Sequence, residues 1–151
     1  MKDGAHIVFH RTLKTRGRPV RAVLLIKRTL DARSDPGRWN LVGGIINSGE
    51  TPARAARREF GEELSARSKP RIRRLCSLLR GPQGKRATVT YFHAYLPDDM
   101  NKLRLKRTRK GTPEERKVEG QGLGWFTEPE VKRLPVRRQD RIALLRFFRG
   151  R

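Results

Sequence analysis

The sequence predicts one domain of mixed α and β structure over residues 1–151. Three observations carry that reading. A chain of 151 residues suits a single domain with a closed core. Hydrophobic residues are only 35% of the chain against 34% charged, yet they cluster in runs such as Val20–Leu30 that suit buried strands. Between such runs lie two stretches with helical spacing, Pro52–Leu64 and Arg138–Phe148. No internal repeat or linker divides the chain.

In chain order, His6–His10 is a short β-prone run and Lys14–Pro19 (KTRGRP) a basic turn. Val20–Leu30 (VRAVLLIKRTL) has the solid apolar centre of a strand buried on both faces. Asp31–Arg38 (DARSDPGR) is a loop by its Asp, Ser, Pro and Gly content. Trp39–Val42 is a short strand feeding the pair Gly43 and Gly44. Pro52 suits the first turn of a helix, and Ala53, Ala56, Phe60 and Leu64 fall on one stripe of it. Pro70 breaks the chain within the linker Ser68–Arg71. Ile72–Leu79 fits strand or helix by pattern alone. The Gly81–Gly84 turn (GPQG) leads into Ala87–Leu96, a β-branched and aromatic strand.

Pro97–Lys117 carries the dense basic run Arg104–Lys110. That run reads as a solvated loop, a lid over an anionic substrate, or a nucleic-acid contact. Val118–Thr127 turns apolar at its end and forms the last strand. Thr127 caps a helix to Leu134, with Pro129 and Glu130 in its first turn. Arg138–Phe148 closes the chain, with Ile142, Leu145 and Phe148 predicted on its buried face.

The net charge of +22 attracts polyanions: nucleotides, nucleic acids or anionic surfaces. The single cysteine, Cys76, excludes an intrachain disulfide and reads as a packed thiol. No apolar run reaches the length of a signal sequence or a transmembrane helix, so a cytoplasmic protein is expected, with no membrane partner.

Against this basic background, Trp39–Ala66 (WNLVGGIINSGETPARAARREFGEELSA) holds four of the nine glutamates. Glu59, Glu62 and Glu63 stand at i, i+3 and i+4 and share a helix stripe beside the apolar one. Like charges so placed repel unless a positive group holds them. Hard divalent cations bound by oxygen are the usual answer, and a metal ion rather than an arginine is the expected counter-charge here. The competing reading is a solvated helix laced by pairs such as Arg58–Glu62.

The spacing Gly44-x5-Glu50-x7-Arg58-Glu59-Phe60-x-Glu62-Glu63 resembles the Nudix box, the signature of the Nudix hydrolases. From this chain's own composition, a chance match is on the order of 10⁻⁵. Two positions depart from the family pattern: Ser65 stands where Gly is usual, and Val42 where Pro commonly precedes the glycine pair. Neither removes a ligand. The resemblance implies an α/β/α sandwich around a mixed β-sheet, and with it a strand at Ile72–Leu79.

The resemblance also assigns roles. It implies metal ligation by Glu59, Glu62, Glu63 and the Gly43 carbonyl, with Glu119 after the box as a fifth ligand. Glu63 or Glu119 would be the base, and Glu50 and Arg58 would pair to brace the loop against the helix. Arg28, Arg38 and Gly44 are candidate substrate contacts. The implied cofactor is magnesium, or manganese in its place. The implied reaction is hydrolysis of a diphosphate linkage in a nucleoside diphosphate derivative. MutT-like cleavage of a nucleoside triphosphate comes first, because Glu119-Gly120-Gln121 resembles the MutT string. The alternatives are an ADP-ribose or nucleotide-sugar pyrophosphatase, an RNA 5′-pyrophosphohydrolase, and a basic Nudix-fold module that binds nucleic acid.

Overall fold

The computed structural model describes residues 2–28, 36–98, 103–105 and 122–150. Glu119 and residues 106–110 of the basic run lie outside the described residues.

Nine strands and three helices are described. They are β1 (Gly4–Thr15), β2 (Arg18–Lys27), β3 (Trp39–Asn40), β4 (Val42–Ile45), α1 (Pro52–Glu63), β5 (Leu64–Ser65), β6 (Arg73–Arg80), β7 (Ala87–Tyr95), β8 (Arg104–Leu105), β9 (Leu123–Thr127), α2 (Glu128–Arg133) and α3 (Arg138–Arg149). Seven strands form one mixed sheet, with β3, β2, β1, β7 and β6 in that order. Strands β1 and β7 run parallel. The other pairings in the sheet are antiparallel.

Strand β1 changes partner along one edge. Its first half, Gly4–Ile7, pairs with β4, and His10–Thr15 pairs with β2. The basic turn shrinks to Arg16–Gly17, where both residues take positive φ, and the strands extend to either side of it.

Alternation of side chains along the strands builds two cores. Ile7, Phe9, Leu24, Phe92 and Ala94 point to the face covered by α1 and its Ala55 and Ala56. Val8, Val23, Leu25, Val89 and Tyr91 point to the other face, against Val131 of α2 and Leu144 and Phe147 of α3. Helices therefore cover both faces of the sheet, as expected. Residues 22–25 are fully buried because both neighbouring layers need them.

One helix face agrees with expectation and one differs. In α1 the expected stripe enters the core: Ala56 and Leu64 are buried, Ala53 and Phe60 are half-buried against them, and Ala55 joins the buried side. In α3 the buried face is Asp140, Ala143, Leu144 and Phe147, one position away from the predicted Ile142, Leu145 and Phe148. Ile142 is 40% exposed. The register is set by Asp140, whose Oδ1 accepts from Tyr91 Oη at 2.9 Å and whose Oδ2 accepts from the Leu41 amide at 3.0 Å. A buried amide and hydroxyl need an acceptor more than Ile142 needs cover.

The start of the basic run forms a short ladder, with Leu64 opposite Leu105 and Ser65 opposite Arg104. Leu103 is buried and Leu105 half-buried against the α1 core. No described helix is long and apolar enough to cross a membrane.

Candidate active site

The site is assembled where β4 meets α1. Thr51 caps α1, its Oγ1 accepting from the Arg54 amide at 3.2 Å, and Pro52 occupies the first turn. The helix places Glu59 and Glu63 one turn apart beneath the two glycines of β4. The Gly43 amide donates to Glu63 Oε1 at 3.2 Å. A Cβ on Gly44 would lie 2.6 Å from Glu59 Cδ, so only glycine leaves that carboxylate where it stands. A Cβ on Gly43 would strike the Ala5 carbonyl and the His6 ring.

Arg58 is the hub of the charged network. Its Nε donates to Glu50 Oε2 at 2.9 Å and its Nη2 to Glu50 Oε1 at 3.1 Å. Nη2 also donates to the Ile45 carbonyl at 2.8 Å. Nη1 reaches Glu59 Oε1 at 3.0 Å and Glu62 Oε2 at 3.3 Å. Glu50 Oε1 further accepts from the Asn47 amide at 3.0 Å, which closes the turn containing Gly49. The arginine bond, then the Asn47 N–H, hold the Glu50 carboxyl below the usual carboxylate range. The Glu50 bond in turn pushes the Arg58 guanidinium up.

The counter-charge expectation is corrected in one respect: an arginine also contributes. Arg58 contacts Glu50, Glu59 and Glu62, but its one positive charge leaves the group with excess negative charge. The Glu62 side chain is 58% exposed and bonds to Arg58 as an i,i+4 pair. Among the described residues, no three His, Cys, Asp or Glu side chains meet closely enough to hold an ion by themselves. Glu63 differs from Glu62. Burial first, then the adjacent Glu59 charge, raise it well above the usual carboxylate range, with the Gly43 N–H opposing. Two carboxylates so close, one of them desolvated, fit a hard divalent cation supported by oxygen ligands.

Behind Gly43 lies His6, opposite it in the β1–β4 ladder. The His6 ring stacks on Tyr91 at 5.6 Å. Burial lowers the His6 pKa. The Asp140 bonds to Tyr91 and Leu41 therefore back the same stretch of β4 from the far layer. These supports were not visible in the sequence, because they pair positions 6, 41, 91 and 140 across the sheet.

The Arg28 amide donates to the Arg38 carbonyl at 2.9 Å. Arg38 is exposed and Arg28 half-buried. On the α1 side of the sheet the structure adds a pair that sequence reasoning missed. The Arg11 guanidinium lies 5.6 Å from the centre of the Trp125 ring, and its Nη1 donates to the Asp98 carbonyl at 3.2 Å. Arg11 Nε and Trp125 Nε1 are buried donors with no acceptor among the described residues. Such donors mark a place where a ligand acceptor would be satisfied. The aromatic end of LGWF was the one available signal.

Comparison with known proteins agrees with the architecture. The NUDIX domain family model matches residues 6–147. A mutT/nudix family protein from Listeria innocua superposes with a TM-score of 0.73 at 21% identity, covering 99% of this chain and 92% of that one. An Ap4A hydrolase from C. elegans, solved as a binary complex, gives 0.68 at 21% identity and covers 99% and 96%. The NUDIX domain of Shewanella oneidensis NrtR, solved with ADP ribose, gives 0.71 at 14% identity and covers 98% and 86%. No curated protein sequence matches significantly. A mixed sheet between helices, with a box glutamate under a glycine pair, defines a Nudix hydrolase. The chain belongs to the NUDIX domain family, whose hydrolases use divalent metal ions.

Proposed function

We infer that the protein hydrolyses a diphosphate linkage in a nucleoside diphosphate derivative, with magnesium as its metal ion. The observation that carries the reading is the Glu59–Glu63 pair packed beneath Gly43 and Gly44, with Glu63 held by the Gly43 amide. Glu59, Glu62, Glu63 and the Gly43 carbonyl would hold the ion, joined by Glu119. The ion supplies neutralisation of phosphate charge and acidification of water. Glu63 or Glu119 takes the proton of the attacking water. Arg58 and Glu50 fix the Gly43–Gly49 loop so that substrate meets the carboxylates in one geometry. Arg28 and Arg38 are the candidate phosphate clamps, since guanidinium groups suit phosphate oxygens.

Among substrates, nucleoside triphosphates cleaved in the MutT manner are our first reading, on the strength of Glu119-Gly120-Gln121 in the sequence. The Arg11–Trp125 pair supports a nucleotide, because an indole face with unpaired N–H donors beside it suits a base or ribose. The solved neighbours carrying ADP ribose or named for Ap4A keep dinucleotide-type substrates as the second reading.

The test is a panel of nucleoside triphosphates, ADP-ribose, dinucleoside polyphosphates and triphosphorylated RNA, each with magnesium. Release of pyrophosphate with the nucleoside monophosphate from a triphosphate supports the first reading. Turnover confined to ADP-ribose or a dinucleotide selects the second. Turnover of none contradicts the assignment.

A further inference from the structure

A cleft of about 560 Å³ opens where β7 ends against the middle of β1, beside the connection from residue 68 to 71. Six of its lining residues carry its chemistry: His10, Lys69, Arg71, Arg73, His93 and Tyr95. None of the ten lining residues is a carboxylate. Among the described residues, no carboxylate forms an ion pair with Lys69, Arg71 or Arg73. Three exposed cations therefore line a recess, and the nearby described carboxylate, Asp98, is buried and held by the Arg67 amide and Ser68 instead.

The rings in the cleft form a cluster. His10 lies 5.7 Å from His93, 5.9 Å from Tyr95 and 4.8 Å from Phe147. His93 and Tyr95 are two apart on β7 and share a face. That face carries α3, whereas the carboxylates sit on α1 across the sheet. This cleft is therefore separate from the candidate active site.

Burial first, then the charges of His93 and Arg21, bring His10 down to about 4. Burial, then Arg73 and Arg21, lower His93 as well. Both imidazoles are neutral near pH 7, so they offer flat ring surface while Lys69, Arg71 and Arg73 supply the charge. Tyr95 is 55% exposed, which leaves one large ring open to solvent at the rim.

We propose that this cleft binds a nucleotide unit, with its phosphate among Lys69, Arg71 and Arg73 and its base on Tyr95 and the adjoining histidine rings. Cations beside an open aromatic ring are the means by which proteins hold single-stranded nucleic acid, because every base has a face to stack and every linkage a charge. The same chemistry is offered by a free nucleotide. The inference does not rest on the hydrolase reading, since it uses none of that site's residues.

The test is fluorescence anisotropy of a short fluorescein-labelled single-stranded RNA and of a fluorescent AMP analogue, both in EDTA. The proteins are wild type, Tyr95→Ala, Tyr95→Phe, Arg71→Ser/Arg73→Ser, and the charge-matched control Arg133→Ser/Arg138→Ser on the exposed surface of α2 and α3. Tyr95→Ala weakens binding about tenfold and Tyr95→Phe does not, as stacking on a ring requires. Arg71→Ser/Arg73→Ser reduces the salt slope of RNA binding by about 1.4, the value for two phosphate contacts on a single strand. The control leaves both properties unchanged. Affinity for RNA alone identifies the polymer as the source, and affinity for the AMP analogue identifies the free nucleotide.

Equal loss in the control would show only the overall positive charge at work and would overturn the proposal. So would wild-type affinity in Tyr95→Ala, or binding of neither probe. Capture on phosphatidylserine vesicles that depends on Arg71 and Arg73, with RNA binding untouched by them, would overturn it in favour of a lipid surface. Matching circular dichroism of each variant separates loss of binding from loss of fold.

Discussion

Arg58 grips Glu50 with two nitrogens, Nε at 2.9 Å and Nη2 at 3.1 Å, across a separation of eight residues. The same guanidinium holds the Ile45 carbonyl, so one side chain ties the end of β4, the turn and the helix together. Lysine keeps the charge but cannot reproduce the fork. Arg58→Lys is expected to cut turnover about tenfold or more, because the loop no longer has one position relative to the carboxylates. It also lowers the melting temperature modestly. Steady-state kinetics beside a thermal melt checks both, and unchanged kcat would count against the bracing role.

The two glycines of β4 separate chemistry from stability. Gly44→Ala meets the end of the Glu59 side chain, which can swing away, so the fold survives while the carboxylate is displaced. Gly43→Ala meets the Ala5 carbonyl and His6, the latter's Cα at 2.6 Å, in the adjoining strand, which cannot move without breaking the ladder. Gly44→Ala should keep nearly the wild-type melting temperature and lose most activity. Gly43→Ala should lose stability by about 2 kcal/mol or more. The reverse ranking in denaturant melts would contradict the packing described.

Asp140 tests the far layer. Asp140→Ala leaves Tyr91 Oη and the Leu41 N–H buried without an acceptor, costing about 2–4 kcal/mol. Chemical unfolding of the variant, alone and combined with Tyr91→Phe, measures it. Tyr91→Phe should recover part of the loss, because it removes one of the two orphaned groups.

Asp140 also shows what the sequence could and could not reveal. Fold class and most elements were legible, because buried strands and the helix of the box announce themselves by apolar runs, Pro and spacing. The face of α3 was not, since Ile142, Leu145 and Phe148 look more buriable than an aspartate. Only the long-range partners Tyr91 and Leu41 make Asp140 an interior residue. Local spacing gave Glu50 and Arg58, and the family resemblance gave their pairing. Neither gave His6 beneath Gly43 or Arg11 against Trp125, because sheet pairing, not sequence distance, makes these neighbours.

His10, with His6 and His93 acting in the same direction, makes stability depend on pH; it faces His93 and Tyr95 on β7, Arg21 on β2 and Phe147 on α3. Its folded value of about 4 lies below its usual 6.5. Between these two values the unfolded chain binds a proton that the folded chain refuses, so stability falls as pH drops from 6.5 towards 4. Above 6.5 the group contributes no slope. Melting temperatures taken across this range should fall less steeply for His10→Leu than for wild type. Parallel curves would remove His10 as a cause.

Glu63, beneath the Gly43 amide, is proposed as part of the machinery of diphosphate hydrolysis. The most direct measurement is turnover of the best substrate in magnesium by Glu63→Gln, which keeps shape and removes the charge. The expected result is a loss of kcat on the order of a hundredfold or more with an unchanged fold by circular dichroism. Undiminished turnover in Glu63→Gln would contradict that role.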